Sequence, residues 1–241
     1  MEIKRFFLNS ACVDNRFVID GEEFEHLTKV LRYKVGYQAI ICNDDGKDYL
    51  CTIESIGKCS AVAVVDSAQE NCTVGRVKLA LFQAMPKGDK LDLIIQKACE
   101  LGASEVTPFL SRFTNETKFN AERANRISKE ACKQCGRAKL LQVNELALFE
   151  QVIEEMKNFD IVIVPYENAE FGKIGDIDGL DKAQSVALVI GSEGGFAQEE
   201  IDALKQVGGK VVSLGKRILR CETAAIASIG LIMYFAGELG E

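Results

Sequence analysis

The chain has 241 residues, 47% hydrophobic and 27% charged, with nine cysteines and a formal net charge of −7 at pH 7. These values are ordinary for a folded globular chain and exclude disorder, a collagen-like repeat and a disulfide miniprotein. The longest apolar stretch near the C-terminus, 224–236, is too short to span a bilayer, and the N-terminus shows no secretion signal, so a cytoplasmic protein with free thiols and no membrane contact is expected.

The first 70 residues read as β-rich. A strand is predicted at 5–8, and Phe24, Leu27, Val30 and Leu31 at helical spacing predict a short helix over 22–31. Strands follow at 37–42, 49–56 and 61–65, with Asp45-Gly46 as the turn between the first two. A small barrel closed by one helix accounts for these elements. The polar stretch 67–76 reads as a linker, giving a small domain over residues 1–70 and a larger one over 76–241.

Beyond the linker the pattern changes to alternating strands and helices. Residues 77–85 form a nearly continuous apolar run, as a strand buried on both faces requires. A helix at 90–101 follows, with Gly102 at its C-cap, then a strand at 106–110. Asn120 caps a long basic helix over 121–137. A helix at 146–159, strands at 161–164 and 186–190, a helix at 199–207, a strand at 211–214 and an apolar helix at 223–239 complete the chain. The alternation implies an α/β domain with a mainly parallel sheet, whose ligands bind in loops at the carboxyl ends of strands.

Charge is uneven along the chain. Residues 76–140 carry 13 basic and 7 acidic side chains, and residues 141–241 carry 8 and 17. Between Arg112 and Lys139, eight Lys and Arg stand against three Glu. Arg112, Arg123, Arg126, Arg137 and Lys139 read either as a stripe for a phosphate backbone or as a solvated helix face.

Two loops directly after buried strands stand out. Gly191-Ser192-Glu193-Gly194-Gly195-Phe196 puts three glycines around one acid, which permits positive φ and close approach of backbone to a ligand. It lacks the spacing of a dinucleotide fingerprint and of a phosphate-binding Walker loop. Leu214-Gly215-Lys216-Arg217-Ile218-Leu219-Arg220-Cys221-Glu222-Thr223 sets three cations around an apolar pair, just before the last helix. Ile218 and Leu219 suit an aromatic ring. Arg217 and Arg220 suit phosphate, developing negative charge or a salt bridge to Glu222, and Glu222 or Thr223 suits a helix cap. The single histidine, His26, lies in the small domain, away from the glycine loops in sequence, so general-base catalysis is not favoured for it. Cys132 and Cys135 form a CxxC with no second pair to complete a zinc site, so no metal is expected.

Together these loops resemble the SPOUT methyltransferases, and specifically the family of ribosomal RNA small subunit methyltransferase E, the 16S rRNA uridine-N3 methyltransferases. The likeness extends to Arg5-Phe6-Phe7, the run from His26 to Arg32 with Gly36, the run from Lys97 to Gly102, and the run from Lys129 to Arg137. Ser192, Lys133, Cys135 and Cys221 depart from residues common there, and the segment 138–141 directly after Arg137 lacks the proline expected there. The resemblance implies an N-terminal PUA-like β-barrel that grips RNA and a C-terminal α/β domain with a deep trefoil knot, an exception to the usual rules of chain threading. It implies S-adenosylmethionine as methyl donor, held by Gly191, Glu193, Gly194, Gly195, Leu214, Gly215, Ile218, Leu219 and Thr223. It further implies a homodimer acting on 16S rRNA of the small ribosomal subunit. Arg220, then Arg217, are the expected catalytic residues. Arg5, His26, Arg32, Arg112, Arg126 and Arg137 are the expected RNA contacts.

Overall fold

A computed structural model describes residues 3–169 and 172–240. The chain divides into two units, one of residues 1–74 with 132–140 and one of residues 75–131 with 141–241.

The first unit is a five-stranded sheet. Strands β1 (Lys4–Phe7), β2 (Arg16–Ile19), β3 (Gln38–Cys42), β4 (Lys47–Ile56) and β5 (Ala61–Glu70) run in the order β1-β3-β4-β5-β2. β1 lies parallel to β3, and the other ladders are antiparallel. No ladder joins β1 to β2 among the described residues, so hydrogen bonding leaves the expected barrel open at that seam. Alternate residues Phe6, Phe17, Ile19, Ile41 and Ile53 point to one side and bury completely with Leu27. β5 continues to Glu70, into the stretch read as a linker.

The helix expected over 22–31 is two pieces. α1 (Gly21–Glu25) passes into a π-helical turn, His26–Val30, and Arg32 then takes φ +53. Thr28 Oγ1 donates to the Phe24 carbonyl at 2.8 Å within this stretch.

The second unit is a parallel sheet covered by helices. Its strands are β6 (Lys78–Ala84), β7 (Glu105–Leu110), β8 (Gln142–Val143), β9 (Ala147–Leu148), β10 (Ile161–Pro165), β11 (Ser185–Ile190) and β12 (Lys210–Val212). They run in the order β12-β10-β11-β6-β7-β8, with β9 also on β7. The central strands carry continuous apolar runs: Leu79, Ala80, Leu81 and Phe82 of β6, and Val186 to Val189 of β11, are fully buried. The helices are α2 (Lys90–Glu100), α3 (Ala121–Cys135), α4 (Phe149–Met156), α5 (Gln198–Gln206) and α6 (Cys221–Phe235).

Local chemistry sets the helix ends. Asn120 Oδ1 accepts from the Arg123 N–H at 2.9 Å, which is the cap expected for α3. Gly102 takes φ +94 after α2, and a Cβ there would come within 2.8 Å of Met233 on α6, so the glycine serves both the cap and helix packing. α6 begins two residues before its expected start and buries Ala225, Ser228, Ile229, Ile232 and Met233 along one stripe. Leu231, Tyr234 and Phe235 on the same helix are exposed. No helix among the described residues is long and apolar enough to cross a membrane.

Candidate active site

The order β12-β10-β11 brings the carboxyl ends of three parallel strands side by side, the position where open α/β sheets bind ligands. The segments leaving those ends are residues 166–167 after β10, the glycine loop 191–195 after β11, and residues 213–220 after β12. They surround one cavity of about 420 Å³. Two loops separated by about twenty residues of sequence therefore form opposite walls of the same space.

The glycine loop keeps its shape through several independent contacts. Gly195 N–H donates to the Ser192 carbonyl at 3.0 Å, closing the turn. A Cβ on Gly191 would lie 3.1 Å from the Gly195 backbone, and one on Gly194 would lie 2.6 Å from Phe113 Cβ. Gly195 has φ +69, and a Cβ there would lie 2.7 Å from Glu167 Oε1. A methyl group at Gly194 meets Phe113 directly and one at Gly191 presses on the Gly195 backbone, whereas at Gly195 the obstacle is the positive φ, because Glu167 Oε1 ends a flexible side chain that can swing aside. Beneath the loop, buried Gln83 at the end of β6 donates to the Gly191 carbonyl at 3.3 Å. Ser192 Oγ donates to the Phe113 carbonyl at 3.4 Å.

Glu193 turns toward α2. Its Oε1 accepts from Lys90 Nζ at 2.6 Å and from the Lys87 N–H at 3.0 Å. Lys90 Nζ also lies 4.0 Å from Glu222 Oε2. Partial burial works against the Glu193 carboxylate, but the bonds from Lys90 and the Lys87 amide outweigh it and hold its pKa below the usual range. The bond to Glu193 raises the Lys90 pKa in return. Lys90 lines the cavity, and neither it nor Gln83 was among the sequence candidates. Each left a signal: a lone polar residue in the apolar run 79–85, and a lysine heading the helix after it.

The second wall is more open. Gly215 takes φ +112 with free space around its missing Cβ, and Ile218 at the cavity rim is 88% exposed. Leu214 and Leu219 are partly buried. Arg217 and Arg220 line the cavity with exposed side chains, and neither forms an ion pair among the described residues. The alternative role for Arg220, a salt bridge to Glu222, is not formed; the Cys221 thiol donates to Glu222 instead, at 3.3 Å. Burial first, then that bond, pushes the Cys221 thiol up to about 12, so it stays a neutral thiol and no nucleophile.

Of the residues expected to hold a donor, Gly191, Glu193, Gly195, Leu214, Gly215, Ile218 and Leu219 line the cavity. Gly194 and Thr223 do not: Gly194 faces Phe113, and Thr223 lies exposed in the first turn of α6. Tyr166 and Glu167 line it as well, though no motif in the sequence marks them.

The expected RNA contacts fall into two groups. Arg32, Arg112 and Arg126 are exposed. His26 is half-buried, its ring edge-on to Phe6 at 6.2 Å between centroids. Arg5 and Arg137 are elsewhere: the Arg5 side chain is 9% exposed and forms a two-pronged pair with Asp48, and Arg137 is also buried. For Arg5 the Asp48 carboxylate already takes both prongs of the guanidinium, so a phosphate would have to compete with it. Arg123 pairs with Asp89 and Asp92. Among the described residues no group of three or more His, Cys, Asp or Glu is placed to hold a metal ion.

A parallel sheet with a glycine-walled cavity at its carboxyl edge, preceded by a small β-rich unit, defines an RNA methyltransferase domain with its PUA partner: residues 74–233 match the first family model and residues 19–66 the second. The chain is 35% identical over 232 residues to ribosomal RNA small subunit methyltransferase E of Bacillus subtilis, covering 90% of each chain. It belongs to the ribosomal RNA small subunit methyltransferase E family. Among solved structures, a methyltransferase from Legionella pneumophila in complex with the bound cofactor SAM superposes with a TM-score of 0.87 at 27% identity, covering 97% of this chain and 98% of that one. The family member from Neisseria gonorrhoeae bound to S-adenosyl methionine gives 0.84 at 25% identity over the same shares.

Proposed function

We propose that this protein transfers a methyl group from S-adenosylmethionine to N3 of a specific uridine in 16S rRNA of the small ribosomal subunit. The observation that carries this reading is the convergence of residues 191–195 and 213–220 on one cavity, in a fold shared with relatives solved with that donor. The residues fit such a ligand. The volume lies in the range of small-molecule sites, Ile190, Leu214 and Leu219 supply apolar wall for an adenine ring, and glycine backbone lets the ligand approach closely.

When bound, the donor supplies an electrophilic methyl group on a sulfonium. Uridine N3 carries a proton at neutral pH, so its lone pair is available only once that proton has left to solvent or a base. The resulting anion spreads onto O2 and O4. Arg220 is the group that stabilises this charge, with Arg217 second; both are cations lining the cavity with no ion pair among the described residues. Holding base and methyl group at attack distance supplies much of the remaining rate. The target base leaves its stack to reach the cavity.

In this reading Arg32, Arg112 and Arg126 contact the phosphate backbone, His26 contacts RNA from the small unit, and that unit grips RNA as a PUA-like domain. The second unit has the SPOUT trefoil knot with α6 tucked through it. The exposed Leu231, Tyr234 and Phe235 of α6 support a homodimer built on that helix. The enzyme works in the cytoplasm, with no metal.

The test incubates the protein with labelled S-adenosylmethionine and small ribosomal subunits lacking the modification, then digests the RNA and identifies nucleosides by mass spectrometry. Labelled 3-methyluridine is the expected product. Label in another nucleoside would reject the target, and absence of donor binding would reject the reaction.

A further inference from the structure

Two acids line the cavity, and they differ in what they are free to do. Glu193 is the one that sequence singles out, but its carboxylate already accepts from Lys90 Nζ and the Lys87 N–H. Its work is to tie the glycine loop to the start of α2. Glu167, two residues beyond the end of β10, is exposed to the cavity and takes part in no hydrogen bond or ion pair among the described residues. The cations of the opposite wall, Lys216, Arg217 and Arg220, do not pair with it either.

Its placement is built. β10 lies between β11 and β12, so Glu167 leaves the sheet between the two walls of the cavity. Its carboxylate occupies the space over Gly195 that any side chain there would fill, 2.7 Å from the position of a Cβ. The left-handed backbone and the missing Cβ of Gly195 therefore give this carboxylate its room.

We infer that Glu167 is the acid that binds the methyl donor, accepting hydrogen bonds from its ammonium or ribose hydroxyl groups, while Glu193 is a positioning residue held by Lys90. This rests on the reading of the cavity as the donor site. An unpaired carboxylate there gains a charge-assisted bond from either group. A carboxylate past the end of a parallel strand is also well placed for a ribose hydroxyl.

The test is titration calorimetry on the full chain, comparing wild type with Glu167→Gln against three ligands. One is S-adenosylmethionine. The second is S-adenosylhomocysteine, which has the ammonium but no sulfonium. The third is 5′-methylthioadenosine, which keeps the adenine and ribose and lacks the amino-acid portion. The substitution is expected to weaken S-adenosylmethionine binding by about tenfold to a hundredfold, with an unchanged melting temperature. Loss for S-adenosylmethionine without loss for 5′-methylthioadenosine places the partner in the cationic amino-acid arm, and the same loss for S-adenosylhomocysteine then identifies the ammonium. Equal loss for all three ligands identifies the ribose. Wild-type affinity in Glu167→Gln for all three would overturn the assignment while leaving the donor site standing. A wild-type chain that binds none of them would overturn the donor site and this assignment together.

Discussion

Lys90 Nζ lies 2.6 Å from Glu193 Oε1, joining the first residue of α2 to the middle of the glycine loop, and the same ammonium reaches to 4.0 Å from Glu222 at the start of α6. One cation thus ties three elements at the rim of the cavity. Lys90→Met removes that tie without adding charge. It is expected to weaken donor binding and to lower the melting temperature slightly, with Lys90→Arg restoring most of both; equal donor affinity in wild type and Lys90→Met, by calorimetry, would rule the tie out. The pH dependence follows from the two shifts. Glu193 is held below its ordinary value, so its contribution is complete above about pH 4.3 and is lost as pH falls through the lowered value. Lys90 is raised, so its contribution is complete below about pH 10.4 and is lost as pH rises through the raised value. Donor affinity should accordingly be flat between those limits, apart from the donor's own titration.

Gly195 tests the glycine loop from the other side. A residue with a Cβ at φ +69 costs about 1–2 kcal/mol on backbone grounds alone. Gly208, at φ +89 with nothing within 4 Å of its missing Cβ, provides the control for that backbone cost. Gly195→Ala and Gly208→Ala should therefore lose comparable stability in urea unfolding. Only Gly195→Ala should also lose donor affinity, because its methyl group displaces Glu167. Parallel loss of affinity in both variants would mean that general destabilisation, not the loop, governs binding.

What sequence revealed and what it concealed divide along a physical line. The two cavity loops were legible because glycines and charges interrupt apolar strands there, and a ligand site needs that interruption. The parallel sheet was legible from its continuous apolar runs. Strand β2 was not: four residues long, it follows Asp14 and Asn15, both at positive φ, and Phe17 and Ile19 alone make too short an alternation. The π-helical turn at His26–Val30 was hidden because the same apolar spacing fits an ordinary helix. Arg5 and Asp48 are 43 residues apart, so nothing near Arg5 in the chain announces the partner that encloses it. Glu167 follows a strand without any glycine to mark it, and only the adjacency of β10 to β11 brings it over Gly195.

The Arg5–Asp48 pair yields a prediction for the small unit. Arg5 bonds both carboxylate oxygens, and Asn71 Nδ2 adds a third bond at 2.9 Å while also donating to the Gly136 carbonyl at 3.1 Å. Burial opposes ionisation of Asp48, but these bonds outweigh it and hold its pKa low. Removing the carboxylate leaves a guanidinium enclosed without its counter-charge, which costs about 3–5 kcal/mol for a buried pair. Asp48→Asn should show that loss in urea unfolding at pH 7. Because the pKa is lowered, the wild-type advantage should be complete above the unfolded carboxylate value and shrink as pH falls through the folded one. An advantage that persisted unchanged into strong acid would contradict the pairing.

The exposed cations divide into two kinds of defect. Arg220 sits at the cavity, so Arg220→Ala is expected to lower kcat about a hundredfold to a thousandfold while leaving donor affinity near wild type, as removal of a group acting on developing charge should. Arg126 is exposed on α3 with no ion pair among the described residues, so Arg126→Ala should leave kcat unchanged and weaken RNA binding. The discriminating measurement is the dependence of RNA affinity on salt. Deleting one cation that neutralises a phosphate reduces the slope of log K against log salt by about one, so Arg126→Ala should flatten it and Arg220→Ala should not. If Arg220→Ala also flattens the slope by about one and spares kcat, its guanidinium clamps a phosphate, and charge stabilisation passes to Arg217.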